Sequence, residues 1–132
     1  MKVLAVDLGA KRTGFAVSDP AEKMALALPT LEDVTAAEVA RLAREQEAGT
    51  IVVGLPLNMD GTSGPAAQRS LDFAEELRLH VEVPVVTWDE RLSTAEGEAR
   101  LRRAGLDRRE RRKRADVAAA IVILESYLEK RK

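Results

Sequence analysis

Three β-rich runs joined by short turns open the chain, and after them each further strand is separated from the last by a helical segment, an alternation that leaves few topologies open. Residues 2–8, 14–18 and 25–31 read as strands, with the turn formers Gly9 to Thr13 between the first two, and such close spacing predicts an antiparallel meander. Residues 35–48 place Val39, Leu42 and Ala43 at helical spacing, with Thr35 as N-cap, Glu38 in the capping-box position and Gly49 as the stop. A short apolar strand follows at 51–54, then a loop rich in Pro, Gly, Asn and Thr, then a helix at about 66–79 with Leu71, Ala74 and Leu77 on one face. A fifth strand at 84–88, a helix at 93–104 stopped by Gly105, and a final helix from about 115 to 130 complete the order βββαβαβαα. Strands linked through helical crossovers run parallel, so the expected fold class is α/β: a five-stranded mixed sheet, a meander extended by two parallel strands and flanked by helices.

A length of 132 residues with 45% apolar and 33% charged side chains predicts one globular domain, 1–132, with its own core. The chain has no cysteine and only His80 among histidines, which excludes a disulfide framework, a zinc ribbon and a thiol nucleophile. Any bound metal must therefore be held by oxygen. The longest apolar run, 117–124, is eight residues, far short of the roughly 20 that a bilayer span needs. An acid follows the first four apolar residues, which is not a signal-peptide pattern, so a cytoplasmic location is expected.

A net charge of −1 conceals an asymmetry: residues 1–90 hold 8 basic and 15 acidic side chains, and residues 91–132 hold 13 and 7. Nine basic residues fall between Arg100 and Arg114, among them Arg109, Arg111 and Arg112. Such density suits a phosphate-binding patch and equally a solvated helix end.

Acids at three places in the chain stand out. Asp7 closes a strand whose other residues, Val3 to Val6, are apolar on both faces; a carboxylate there is costly to desolvate and calls for a charged or metal partner, although Asp before Gly9 also suits a turn. Asp89 and Glu90 stand where the fifth strand ends, the edge at which open α/β sheets place ligands, and alternation allows only one of them to face the ligand. If the fourth strand lies between the first and the fifth, Asp7 and residue 90 start about 9–10 Å apart, and glutamate's longer stem helps to close that gap. Gly54 and Leu55 leave the floor of the cleft between them without a charged side chain. Asp116 begins the last helix ahead of the small residues Ala118 to Ala120, where it would either complement the helix dipole or join the other acids. Three carboxylates from separate segments fit an oxygen-only site for one or two Mg²⁺ or Mn²⁺ ions able to support phosphodiester hydrolysis.

Lys11, Arg12 and Arg91 flank these acids with charge suited to phosphate. Asn58, Thr62 and Ser63 could contact sugar or phosphate oxygens, or simply build a turn. His80 reads as exposed, and Trp88 as core packing rather than a base-stacking platform.

Four motifs resemble the YqgF/RuvX family along the whole chain: Asp7-Leu8-Gly9-Ala10-Lys11-Arg12-Thr13-Gly14, Val52-Val53-Gly54-Leu55-Pro56-Leu57-Asn58-Met59-Asp60-Gly61, Asp89-Glu90-Arg91-Leu92-Ser93-Thr94, and the run from Asp116 to Leu124. The resemblance implies a ribonuclease H-like fold, kinship with Holliday junction resolvases and a nuclease maturing the 5′ end of pre-16S ribosomal RNA, with the acidic site on Asp7, Glu90 and Asp116. Ribonuclease H-like relatives usually carry an acid at the end of the fourth strand; Gly54 stands there in this chain, and Glu90 substitutes from the neighbouring strand.

The leading expectation is therefore a divalent-metal-dependent nuclease whose partner is nucleic acid, either structured RNA or branched DNA. Junction resolution would require a homodimer, because two symmetric cuts need two sites. A non-catalytic RNA-binding or transcription-accessory protein using the basic segment is an alternative. An actin-like ATPase is another, since Asp7-Leu8-Gly9 also looks like the first phosphate loop of that superfamily.

Overall fold

The structure, a computed structural model, describes residues 1–91 and 108–131, the latter segment by its side chains from 119 to 130. Its elements are β1 (Lys2–Leu8), β2 (Arg12–Ser18), β3 (Ala25–Glu32), α1 (Ala36–Glu45), β4 (Ala48–Leu55), α2 (Pro65–Arg78), β5 (Val85–Asp89) and a long last helix, here α3 (Arg108–Arg131). They form one five-stranded sheet in the order β3-β2-β1-β4-β5. The pairs β1–β2 and β2–β3 are antiparallel, whereas β1–β4 and β4–β5 are parallel, which is the expected meander with two parallel strands added.

The central strands are apolar on both faces because both faces are covered. Leu4, Val6, Phe15, Val17, Ile51 and Val53 point to one side and pack on Val39, Ala40 and Ala43 of α1 and on Ala74 and Leu77 of α2. Val3, Ala5, Ala16 and Val52 point to the other side, against Ala120, Ile123, Leu124 and Leu128 of α3. Full burial of each large apolar side chain contributes roughly 1.5–3 kcal/mol, so the two cores together fix the register of every central strand. A consequence of that register is that Asp7, which follows Val3 and Ala5 in alternation, emerges on the α3 face.

The capping box of α1 forms as its sequence dictates: Thr35 Oγ1 accepts from the Glu38 amide at 3.2 Å, and Glu38 Oε1 accepts from the Thr35 amide at 3.3 Å. Its end differs from expectation. Helix α1 stops at Glu45 rather than running to residue 48, because Glu47 takes the left-handed conformation (φ 56) and its amide returns to the Arg44 carbonyl. Gly49, expected as the stop, lies inside β4, which is longer than the 51–54 strand read from apolar residues alone. Helix α3 begins at Arg108 rather than near 115, since Arg, Glu and Lys are strong helix formers and carry the helix through the basic segment. The expected 93–104 helix lies outside the described residues.

At the outer edge, the β2–β3 register shifts between Thr13 and Phe15, opposite the stretch of β3 that holds Pro29. Among the described residues, no helix is long and apolar enough to cross a membrane.

Candidate active site

The carboxyl ends of β1, β4 and β5 lie side by side, and on the α3 face they present Asp7, Gly54 and, one residue past β5, Glu90. Alternation selects Glu90 over Asp89: Val86 and Trp88 pack toward α3, so residue 90 follows them to that side. Asp89 is engaged elsewhere, in an ion pair with Arg91 (Nη2 to Oδ2, 2.7 Å), and hydrogen bonds from Arg91 hold its carboxyl below the usual range.

Glu90 leans inward across β4. Its Oε2 lies 3.0 Å, and its Cδ 3.1 Å, from where a Cβ on Gly54 would stand, so the carboxylate occupies space that only glycine leaves free. Ile123 of α3 closes the same space from above, with Cδ1 at 2.7 Å from that point. Gly54→Ala is accordingly expected to overpack this layer and lower stability by about 1–3 kcal/mol, read from urea unfolding. Gly14→Ala is the control: a methyl there would meet Ala120 Cβ and Asp7 Cβ at 3.8 Å, ordinary contact, and stability should hardly move.

Asp7 pairs across the sheet with Gly14, and both sit beneath Ala120. Among the described residues, neither Asp7 nor Glu90 has a hydrogen-bond or cationic partner, although both are largely shielded from water. The cost falls on their ionised forms: burial raises the Asp7 carboxyl above its ordinary value. Burial, the Asp7 charge and the Asp89 charge together push Glu90 up to about 7. A shielded carboxylate pair of this kind offers the oxygen ligands that a hard divalent cation takes, so Asp7 and Glu90 could hold one. Among the described residues no group of three such ligands gathers. Asp116, the third acid expected from the sequence, has its backbone in α3 one turn before Ala120, about 6 Å along the helix, and its side chain is outside the described residues.

Lys11 and Arg12 share with Asp7, Gly14, Ala120 and Ile121 a cleft of about 670 Å³ on this face. Gly9 makes that β1–β2 turn: its amide donates to the Arg12 carbonyl at 3.1 Å, and a Cβ on residue 9 would collide with the same oxygen. The tight turn thereby keeps Lys11 and Arg12 on the cleft that Asp7 lines. Asn58 builds a turn, with Nδ2 donating to Thr62 Oγ1 at 3.0 Å and its amide donating to the Thr62 carbonyl at 2.9 Å. Arg109, Arg111 and Arg112 fall in the first two turns of α3, with side chains outside the described residues. Trp88 packs edge-on against Tyr127 at 5.5 Å and donates from Nε1 to Ser126 Oγ at 3.0 Å, a core role. His80 is exposed and borders a surface hollow with Ala48, at the opposite end of β4 from the acids.

The interactions that sequence reading missed are those of Arg91, whose only advance signal was its spacing of two from Asp89, and the contact of Ile123 over Gly54.

Comparison with known proteins agrees with this fold. A relative from Anaeromyxobacter sp. (strain K), named "Putative pre-16S rRNA nuclease", is 47% identical over 99% of this chain and 98% of its own length. Among solved structures, Thermus thermophilus RuvC in complex with a Holliday junction substrate superposes with a TM-score of 0.62 at 14% identity, covering 99% of this chain and 95% of that one. The fowlpox virus Holliday junction resolvase gives 0.57 at 14% identity, covering 98% and 99%. The mixed five-stranded sheet is thus the ribonuclease H-like fold. Residues 1–130 match the family described as "RuvX: Holliday junction resolvase", and the chain belongs to the RuvX family.

Proposed function

We propose that this protein is a divalent-metal-dependent nuclease that hydrolyses phosphodiester bonds in nucleic acid, acting in 5′-end processing of pre-16S ribosomal RNA in the cytoplasm. The observation that carries the reading is the pair of shielded carboxylates, Asp7 and Glu90, on the strands either side of Gly54, close enough for the Asp7 charge to disfavour ionised Glu90 and without an ion-pair partner among the described residues. The name shared by close relatives supports the substrate class.

Asp7, Glu90 and Asp116 would hold Mg²⁺ or Mn²⁺. When bound, such an ion supplies charge neutralisation at the phosphate and lowers the pKa of an attacking water. The chain's own residues do the rest. Asp7 and Glu90 would fix the ion at the sheet edge, Lys11 and Arg12 hold neighbouring phosphates in the cleft, and Ile123 with Ala120 keeps bulk water from the acids on the helix side. Arg109, Arg111 and Arg112 extend the contact to more distant backbone. Replacing these three together should weaken RNA binding and make the plot of log K against log salt shallower by about 2, because each phosphate contact on a single strand contributes roughly 0.7 to that slope. An unchanged slope would remove this segment from the substrate path.

The direct test is cleavage of a 5′-labelled pre-16S fragment and a synthetic four-way DNA junction, each with Mg²⁺, Mn²⁺ or chelator. Metal-dependent cutting of the RNA is the expected result. Binding that survives chelator with no cutting of either substrate would instead describe an RNA-binding protein. The family description favours a second reading, a junction resolvase; paired cuts in the DNA junction by a dimer, with the RNA left intact, would select it.

A further inference from the structure

The loop between β4 and α2 is rigid within itself. Gly61 donates to the Asn58 carbonyl at 2.8 Å, and Asp60 Oδ1 accepts from the Thr62 amide at 3.0 Å and from its hydroxyl at 2.6 Å. What joins this loop to the end of β5 is Arg91. Its Nη1 donates to the Met59 carbonyl at 3.3 Å and stands 3.6 Å from where a Cβ on Gly61 would be. The other side of the guanidinium grips Asp89: Nε reaches Oδ1 and Oδ2 at 3.1 Å, and Nη2 reaches Oδ2 at 2.7 Å. Asp89 Oδ1 also accepts from the Arg91 amide at 3.0 Å, closing a ring of bonds around residue 90.

We propose that Arg91 is a positioning residue: clamped between Asp89 and the Met59 carbonyl, it fixes the strand end that carries Glu90 and holds the β4–α2 loop beside it. The two flanking residues are locked to each other on the α2 side of the sheet, so the backbone of Glu90 has one orientation and its side chain is directed over Gly54 toward Asp7. A lysine cannot replace this clamp, since a point charge lacks the planar fork that binds a carboxylate on one edge and a carbonyl on the other. Because the guanidinium is committed to protein oxygens along both edges, the clamp acts on the geometry of the acids rather than on the affinity for substrate. This inference rests on the nuclease reading for its kinetic consequence but not for its structural one.

The experiment pairs hydrogen exchange with kinetics on Arg91→Lys and Asp89→Asn. Both variants are expected to fold, with amides of residues 57–64 exchanging about tenfold faster than in wild type. Hydrolysis is expected to show kcat lower by about 10- to 100-fold, the effect of roughly an ångström of misplacement, with KM within about twofold. Mn²⁺ affinity, read by calorimetry, should fall in parallel. Unchanged exchange in both variants would overturn the clamp, as would a raised KM with kcat retained, which would make Arg91 a substrate contact. If wild-type protein proves inactive on every nucleic acid, the functional reading fails, while the exchange result still decides whether Arg91 ties the loop to β5.

Discussion

Asp7→Asn and Glu90→Gln will each reduce hydrolysis by about 10³-fold or more while leaving nucleic-acid binding nearly intact. Either change keeps the size of the side chain and removes one of two negative charges on which the divalent ion depends. The loss will not come from unfolding. A shielded carboxylate without a partner destabilises the metal-free protein, so an uncharged amide at position 7 or 90 should raise its stability at neutral pH. Activity falling while the melting temperature rises is the expected signature in parallel cleavage and thermal-denaturation measurements. Asp116→Asn should remove activity to a similar degree. Retention of more than a tenth of wild-type rate in Glu90→Gln would take that residue out of the reaction.

The second large effect is a dependence of stability on pH in the absence of metal. Glu90 titrates near 7 in the folded protein, against 4.5 for an ordinary glutamate. Its folded form therefore binds the proton more tightly than the unfolded chain does. The stability that Glu90 contributes is greatest below about 4.5, where the group is protonated in both states, and is lost as pH rises through 7; the difference from this one group is about 3 kcal/mol. Asp7, also raised by burial, contributes in the same direction, beginning from its ordinary value of 3.8. Urea unfolding in chelator at several pH values between 5 and 8 will show the decline. Glu90→Gln will flatten it, and Mg²⁺ or Mn²⁺ added to wild type at pH 8 will restore stability by binding the folded form. A wild-type profile as flat as that of the variant would mean that Glu90 is not held near Asp7.

Much of this site was legible before any coordinates, for definite physical reasons. A strand apolar on both faces that ends in Asp7 must be central and must expose its acid at the sheet edge, and alternation allows only one of Asp89 and Glu90 to join it; that it is Glu90 follows from the packing of Val86 and Trp88 toward α3, which the sequence alone did not fix. The bare Gly54 between them was readable as open floor, and the Glu90 carboxylate lies over it. The sequence was silent about pairing. Arg91 beside Glu90 carries a charge suited to phosphate, yet in the fold that charge is turned onto Asp89 and Met59, a choice set by the direction of the β4–α2 loop rather than by residue type. Helix ends were equally obscure. Glu47 adopts a backbone conformation more often given to glycine, so the true stop of α1 was invisible while Gly49, two residues on, drew the prediction.

Pro29, at the irregular stretch of the outermost strand β3, bears on how copies of this protein meet. Proline brings no amide donor, and a bulge bends the strand that contains it, so this rim is a poor template for a neighbouring molecule's strand. Self-association by adding strands to β3 is discouraged there, which protects this edge of the folded chain from edge-to-edge aggregation.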